Sequence, residues 1–438
     1  MMKIIPHIFL IILIFCISCN KNENTGEVRD QDQTIIFKHF KLANSTEQFA
    51  KTISSFQSLN PDITVKEEIL PANTDIQHQY YATSLEARSD EFDVFLIDVI
   101  WTPEFSLAGW LEELSELIPP EERNGFFKGP IQADTYKGRL YAVPWYVDGG
   151  LFYYRKDLLK KYGFRPPVTF DEMVYQAQTI LAGENRNDLY GFLWQGKQYE
   201  GLICAANEII GGFGGMILDE NNHLHLEDTE TKNALRWMKD TIHRYKISPG
   251  WVTTSDEEIT RLSFFNGNCI FLRNWPYCWT FFQLEDSPVK GNVGVSPMLS
   301  LDGKSGVSTL GGWQIAVNRF SKNKEAAKKF VRYMTNPEIL KEFALNVGIK
   351  PARKALYSDA QIKKVQPFIT ELYGILEMTR PRPVSPFYQQ ISQILQIEFS
   401  AIIGDIRPVD EAMRSATLQI EHILELEKSV SKKRMQKP

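Results

Sequence analysis

Between Thr34 and Asp98 the sequence alternates strand and helix signals, and this order restricts the fold more than any other stretch of the chain. Thr34–Lys41 reads as a strand. Asn44-Ser45-Thr46 then offers a helix cap, and Phe49, Ile53, Phe56 and Leu59 recur at helical spacing until Asn60-Pro61-Asp62 stops them. Ile63–Ile69 reads as the next strand, Asp75–Ala87 as a helix, and Asp93–Ile97 as a strand ending in Asp98. Strands separated by helices imply parallel pairing and an α/β layer. Ligands of such sheets sit beyond the carboxyl ends of the strands. Ser45, Thr74, Gln77 and Asp98 fall at or near those ends.

A chain of 438 residues exceeds one comfortable core, so two lobes are expected. With 43% apolar and 24% charged residues it has the composition of a folded protein. Aromatic residues reach 12%, a surplus that fits a ring-lined site. The net charge of −5, without a basic stripe, argues against a nucleic-acid partner.

Lys3 and the apolar run Ile8–Ile17 read as a targeting segment too short for a membrane span. Ile17-Ser18-Cys19 resembles a bacterial lipobox, although Cys16 stands where leucine is usual. Residues 1–18 are thus expected to be a lipoprotein signal peptide, Cys19 the lipidated first residue, and 19–33 a polar tether. The remaining Cys204, Cys269 and Cys278 are odd in number, which excludes a full disulfide framework. Cys269 and Cys278 are close enough in sequence to pair in an oxidising compartment, but small buried side chains are the better expectation.

Leu140–Asp157 starts as a strand, meets Pro144, exposes Trp145, Tyr146 and Asp148, loosens at Gly149-Gly150 and resumes as a strand. Proline cannot donate to a ladder, so the segment reads as a crossover between two bodies. Pro297 and Pro351 mark two more candidate crossings. Several strands joining two α/β lobes make a hinge over a cleft.

Rings beside a few polar groups recur at five places: Asp98 with Trp101; Trp145, Tyr146 and Asp148; Asn274-Trp275-Pro276-Tyr277; Gly311-Gly312-Trp313; and Arg380-Pro381-Arg382-Pro383 through Tyr388. Carbohydrate chemistry accounts for that mixture. Pyranose C–H faces pack on flat rings, carboxylates accept from hydroxyls, and arginine donates through a planar fork. Glycine lets backbone approach a ligand closely. His223-x-His225 with Asp219, Asn221 and Glu230 has Leu224 where a calcium loop needs glycine, so no metal is expected there. No cofactor motif stands out.

On the segments Phe92–Leu111, Leu140–Asp157, Gly191–Cys204, Arg273–Trp279, Thr309–Ala316 and Arg380–Tyr388, the chain resembles family 1 of the extracellular solute-binding proteins of bacterial ABC importers. It is most similar to their trehalose/maltose-binding branch. Trp194-Gln195-Gly196-Lys197-Gln198-Tyr199-Glu200-Gly201 is the most specific match. The resemblance implies a two-lobe periplasmic-binding-protein-like α/β fold (type II) with a multi-strand hinge and an interlobe cleft. Expected boundaries are 34–142 plus 305–349 for the first lobe, 143–304 plus 350–427 for the second, and 428–438 for a basic tail. It further implies a non-catalytic, monomeric receptor, anchored in the cell envelope by its N-terminal lipid, that hands a disaccharide or short oligosaccharide to permease subunits. Sugar contacts would fall on Asp98, Tyr146, Asp148, Trp275, Tyr277, Gly312, Trp313 and Arg382. Ser45, Gln77, Trp101, Trp145 and Tyr388 are secondary candidates; Ser45 stands where the family leads one to expect a carboxylate, and Gln77 where it leads one to expect an arginine. Two other readings remain open: a secreted glycoside hydrolase using Asp98 and Asp148, and the same scaffold holding a non-sugar solute.

Overall fold

The computed structural model describes residues 33–42, 45–219 and 221–435, with side chains through Leu426. The signal peptide, Cys19 and nearly all of the tether lie outside the described residues. Strands β1 (Gln33–Phe40), β2 (Ile63–Leu70) and β3 (Val94–Asp98) alternate with helices Thr46–Leu59 and Thr74–Glu86, in the order the sequence indicates. The first helix buries Phe49, Ile53 and Phe56, while Leu59, read as part of the same stripe, is 71% exposed at its end. A small hairpin, β4 (Thr135–Tyr136) and β5 (Arg139–Leu140), precedes β6 (Ala142–Gly149) and β7 (Leu151–Arg155). Then come β8 (Tyr190–Leu193), β9 (Cys269–Asn274), β10 (Val293–Ser296) and β11 (Leu310–Val317).

Two sheets organise the molecule. One has the order β2-β1-β3-β11-β6, with β1 parallel to β2 and β3 and with β11 antiparallel to both neighbours. The other has the order β10-β7-β9-β8. Helix Glu200–Gly212 is buried along its whole length on the second-sheet side, where Thr229–His243 and Tyr388–Ile403 pack on it.

The chain does pass between the sheets several times, but at different residues from those expected. β6 runs straight through Pro144 in the first sheet, and the passage falls at Gly149-Gly150. Pro144 is tolerated because it sits on the edge strand beside a bulge, where a missing N–H costs least. The return passage lies at Ser308–Leu310 rather than Pro297, and the last one at Arg380–Arg382 rather than Pro351. These three passages bond to one another. Gly150 N donates to Thr309 O at 3.3 Å, Arg380 N to Ser308 O at 2.9 Å, and Leu310 N to Arg380 O at 2.8 Å. Pro351 instead lies along the free edge of β6, where Val147 N donates to Lys350 O at 2.9 Å and Ala352 N to Trp145 O at 3.3 Å.

The lobe limits shift accordingly. Residues 143–149 belong to the first sheet. The stretch after Lys350 also stays with the first lobe: Phe127 packs edge-on to Tyr357 at 5.1 Å and against Tyr373 at 5.5 Å, so apolar burial holds it there. The supposed tail continues a helix as far as it is described, since Val409–Met435 is one helix. Cys204, Cys269 and Cys278 are all free and buried.

Candidate functional site

Three strands of the first sheet bring their polar and aromatic residues to one rung. Trp313 on β11 lies opposite Asp98 on one side and opposite Tyr146 on the other. Residues directly opposite in a sheet share a face with Cβ atoms about 5 Å apart. The register between β11 and β6 shifts at Trp313/Gln314, which leaves Trp145 as the extra residue of a bulge. A bulge re-aims side chains. Here Trp145 turns into the core against Phe49 and Phe343, and Tyr146 faces the cleft. Gly312 carries the local conformation with φ +119°, and a Cβ there would lie 2.4 Å from Tyr146 O. Gly311 lies opposite Asp148 and leaves room for an indole from the other lobe: its missing Cβ would stand 2.9 Å from Trp275 Cζ3.

That indole follows directly on β9. Asn274 fixes the turn, accepting from Trp275 N at 2.8 Å and donating to Glu257 O at 3.0 Å. The Arg273 guanidinium stacks 4.2 Å from the Trp275 ring. Arg273 is itself held by Glu208 through two bonds of 2.6 Å and by Gln195 at 2.9 Å, all buried. Trp313 is backed in turn by Trp101, edge-on at 5.6 Å, and flanked by Phe40 at 4.2 Å.

Between these walls lies a cavity of about 630 Å³. Asp98, Tyr146, Asp148, Trp275, Tyr277, Gly312, Trp313 and Arg382 all line it. Ser45, Gln77, Trp101, Trp145 and Tyr388 do not. Ser45 donates instead to Leu42 O at 2.8 Å, and Gln77 is fully buried. Trp101 and Trp145 are core supports, and the Tyr388 hydroxyl donates to Glu200 at 2.6 Å. All five are buried, and each neighbours a lining residue in sequence or space.

Lining residues also include several that sequence reasoning passed over as contacts. Glu200 and Lys197 lie in the most specific matching motif, which was the signal available for them. Lys350 is a lone lysine in the apolar run Val347–Pro351.

Charges in the cavity are strongly coupled to their surroundings. Arg382 donates to Asp98 at 3.1 Å and to Glu200 at 2.8 Å. Burial pushes the Glu200 carboxyl up, opposed by Arg382, Ser392 and Tyr388. Burial also raises Asp148 to about 7, against the pull of Lys350 and Arg273. The Lys350 ammonium is lowered by burial to about 8, with Asp148 opposing. Tyr146 and Tyr277 are held well above the usual phenol range by burial, so both stay neutral hydroxyls. Tyr277 donates to Glu258 at 2.6 Å. Two aromatic walls, neutral hydroxyls and a few fixed charges suit a small polyhydroxylated ligand.

Comparison with known proteins agrees in fold and in family. A family model described as bacterial extracellular solute-binding protein matches residues 41–341. A probable ABC transporter-binding protein of Deinococcus radiodurans is 37% identical over 344 residues, spanning 77% of this chain and 81% of that one. A maltotriose-binding protein of Pyrococcus abyssi is 25% identical over 342 residues, 77% of this chain and 71% of its own. Among solved structures, maltose-bound MalE3 of T. maritima superposes with a TM-score of 0.84 at 37% identity, over 89% of this chain and 99% of that one.

Proposed function

Because the chain belongs to the bacterial extracellular solute-binding protein family, we propose that it captures a disaccharide or short oligosaccharide of the maltose or trehalose type and delivers it to the permease of an ABC importer. One observation carries this reading: eight aromatic, acidic, guanidinium and glycine positions from both lobes and the hinge converge on a single cavity. Its volume of about 630 Å³ falls in the usual range for small-molecule sites. The name of the P. abyssi relative and the sugar in the T. maritima structure point to the same ligand class.

A ligand drives lobe closure only by binding the closed form better. Trp313, Tyr146 and Asp98 stand on the first sheet, and Trp275 and Tyr277 on the second lobe, so a sugar touching both sets supplies that difference. We assign the two aspartates to hydroxyl recognition rather than to hydrolysis. Asp98 is engaged by Arg382, and Asp148 faces Lys350. Cys19 is the proposed lipid anchor, holding a monomer on a bacterial membrane and facing the periplasm or exterior. No helix among the described residues is long and apolar enough to cross one.

A thermal-shift screen of the mature protein against mono- and disaccharides tests the reading, since a ligand of the native state raises the melting temperature by mass action. Stabilisation by maltose or trehalose is expected. A panel without a single sugar hit, or release of monosaccharide from either disaccharide, would overturn it.

A further inference from the structure

Lys350 is 1% exposed and yet reaches the cavity. Its backbone is pinned to the edge of β6 by the bond from Val147 N, so the side chain has little freedom to leave. The ammonium donates to Gly348 O and lies 5.4 Å from the Phe368 ring. It has three donors, and among the described residues no carboxylate comes within ion-pair distance. Asp148, the acidic group that faces it across the cavity wall, accepts no hydrogen bond from a described residue either. A buried charge with idle hydrogen-bonding capacity is costly unless something satisfies it. Lys350 is such a group, and the half-buried Asp148 offers an unfilled acceptor on the same void between Trp275 and Trp313.

We propose that Lys350 determines specificity at the sugar site: it donates to a ligand oxygen while Asp148 accepts from the adjacent hydroxyl, so that together they read a vicinal diol. This rests on the sugar-binding reading and names a contact within it. A sugar lacking the oxygen that Lys350 reaches leaves a buried charge unpaired, which is how a polar pocket rejects a deoxy analogue.

The pairing also sets a pH dependence. The groups facing the pair are Arg273, Cys278, Tyr146, Tyr153 and Tyr357. Burial holds the thiol and the phenols well above their usual ranges, and the Glu208 ion pair keeps Arg273 charged. Lys350 is therefore the group among them that loses its charge on the alkaline side, near pH 8.

Calorimetry with maltose and trehalose as probes, from about pH 6 to about pH 9.5, tests this on the wild type and on Lys350→Met. The wild type should lose affinity above about pH 8, and Lys350→Met should bind at least tenfold more weakly with a flat alkaline limb. If that variant does not fold, the wild-type profile decides: constant affinity across the alkaline range overturns the proposal. Unchanged affinity in a folded Lys350→Met also overturns it, leaving sugar binding intact. A wild type that binds neither sugar sinks both.

Discussion

Arg382 joins the two halves of the cleft through a single guanidinium, donating to Asp98 at the end of β3 and to Glu200 at the start of helix Glu200–Gly212, at 3.1 and 2.8 Å. All three residues are at least nine-tenths buried. Glu200 is further fixed by Tyr388 and Ser392. The guanidinium thus orders the acidic side of the site before any ligand arrives.

Removing it should be expensive. Breaking a buried pair leaves charge without compensation, at a cost of about 3–5 kcal/mol. Arg382→Met, which strands two carboxylates, should lower unfolding stability by at least about 3 kcal/mol in denaturant titrations without ligand. A loss below about 1 kcal/mol would show that solvent replaces the guanidinium readily.

Much of this arrangement was legible in the sequence, and the part that was not has a physical reason. Strand and helix alternation from Thr34 to Asp98 follows from periodicity, which burial enforces. Asp98, Tyr146, Trp275 and Trp313, which line the cavity, were readable as rings and charges near strand ends, although Trp101 and Trp145 fit the same pattern and support the core. The crossings fall elsewhere than the prolines suggest because proline reads as a break in sequence, whereas an edge strand with a bulge accommodates Pro144 without leaving its sheet. Trp145 and Tyr146 could not be told apart without that bulge, since plain alternation does not say which ring faces the cleft. Lys350 was hidden by an apolar neighbourhood that resembles packing.

Indole contact and carboxylate acceptance should each matter for affinity. Trp313→Ala and Asp148→Asn are both expected to weaken disaccharide binding at least tenfold, about 1.4 kcal/mol or more. Calorimetry on each variant measures this, and unchanged affinity in both would remove them from the site.

Backbone geometry at the rung is equally demanding. Gly312 has φ +119°, and an added Cβ would come within 2.4 Å of Tyr146 O, an atom that cannot swing away. Gly312→Ala should cost more than about 1 kcal/mol of stability and weaken sugar binding as well, because Trp313 and Tyr146 would shift. A variant that melts and binds like the wild type would mean the bulge relaxes freely.

Unliganded stability should respond to pH through Asp148. Its carboxyl titrates at about 7 in the folded protein, raised by burial, against about 3.9 when unfolded. Between those values the folded state holds the extra proton, so this contribution is present below about pH 4 and is lost as pH rises to about 7. Melting curves of wild type and Asp148→Asn should therefore diverge across that window, the wild type losing ground towards neutrality. Parallel curves would place the Asp148 carboxylate in solvent.

The most direct test is a crystal structure of the mature protein with the disaccharide that stabilises it most. Sugar rings should lie between Trp275 and Trp313, with hydroxyls in reach of Asp98 and Asp148. Sugar density elsewhere on the molecule, with those four side chains unengaged, would contradict capture between the lobes.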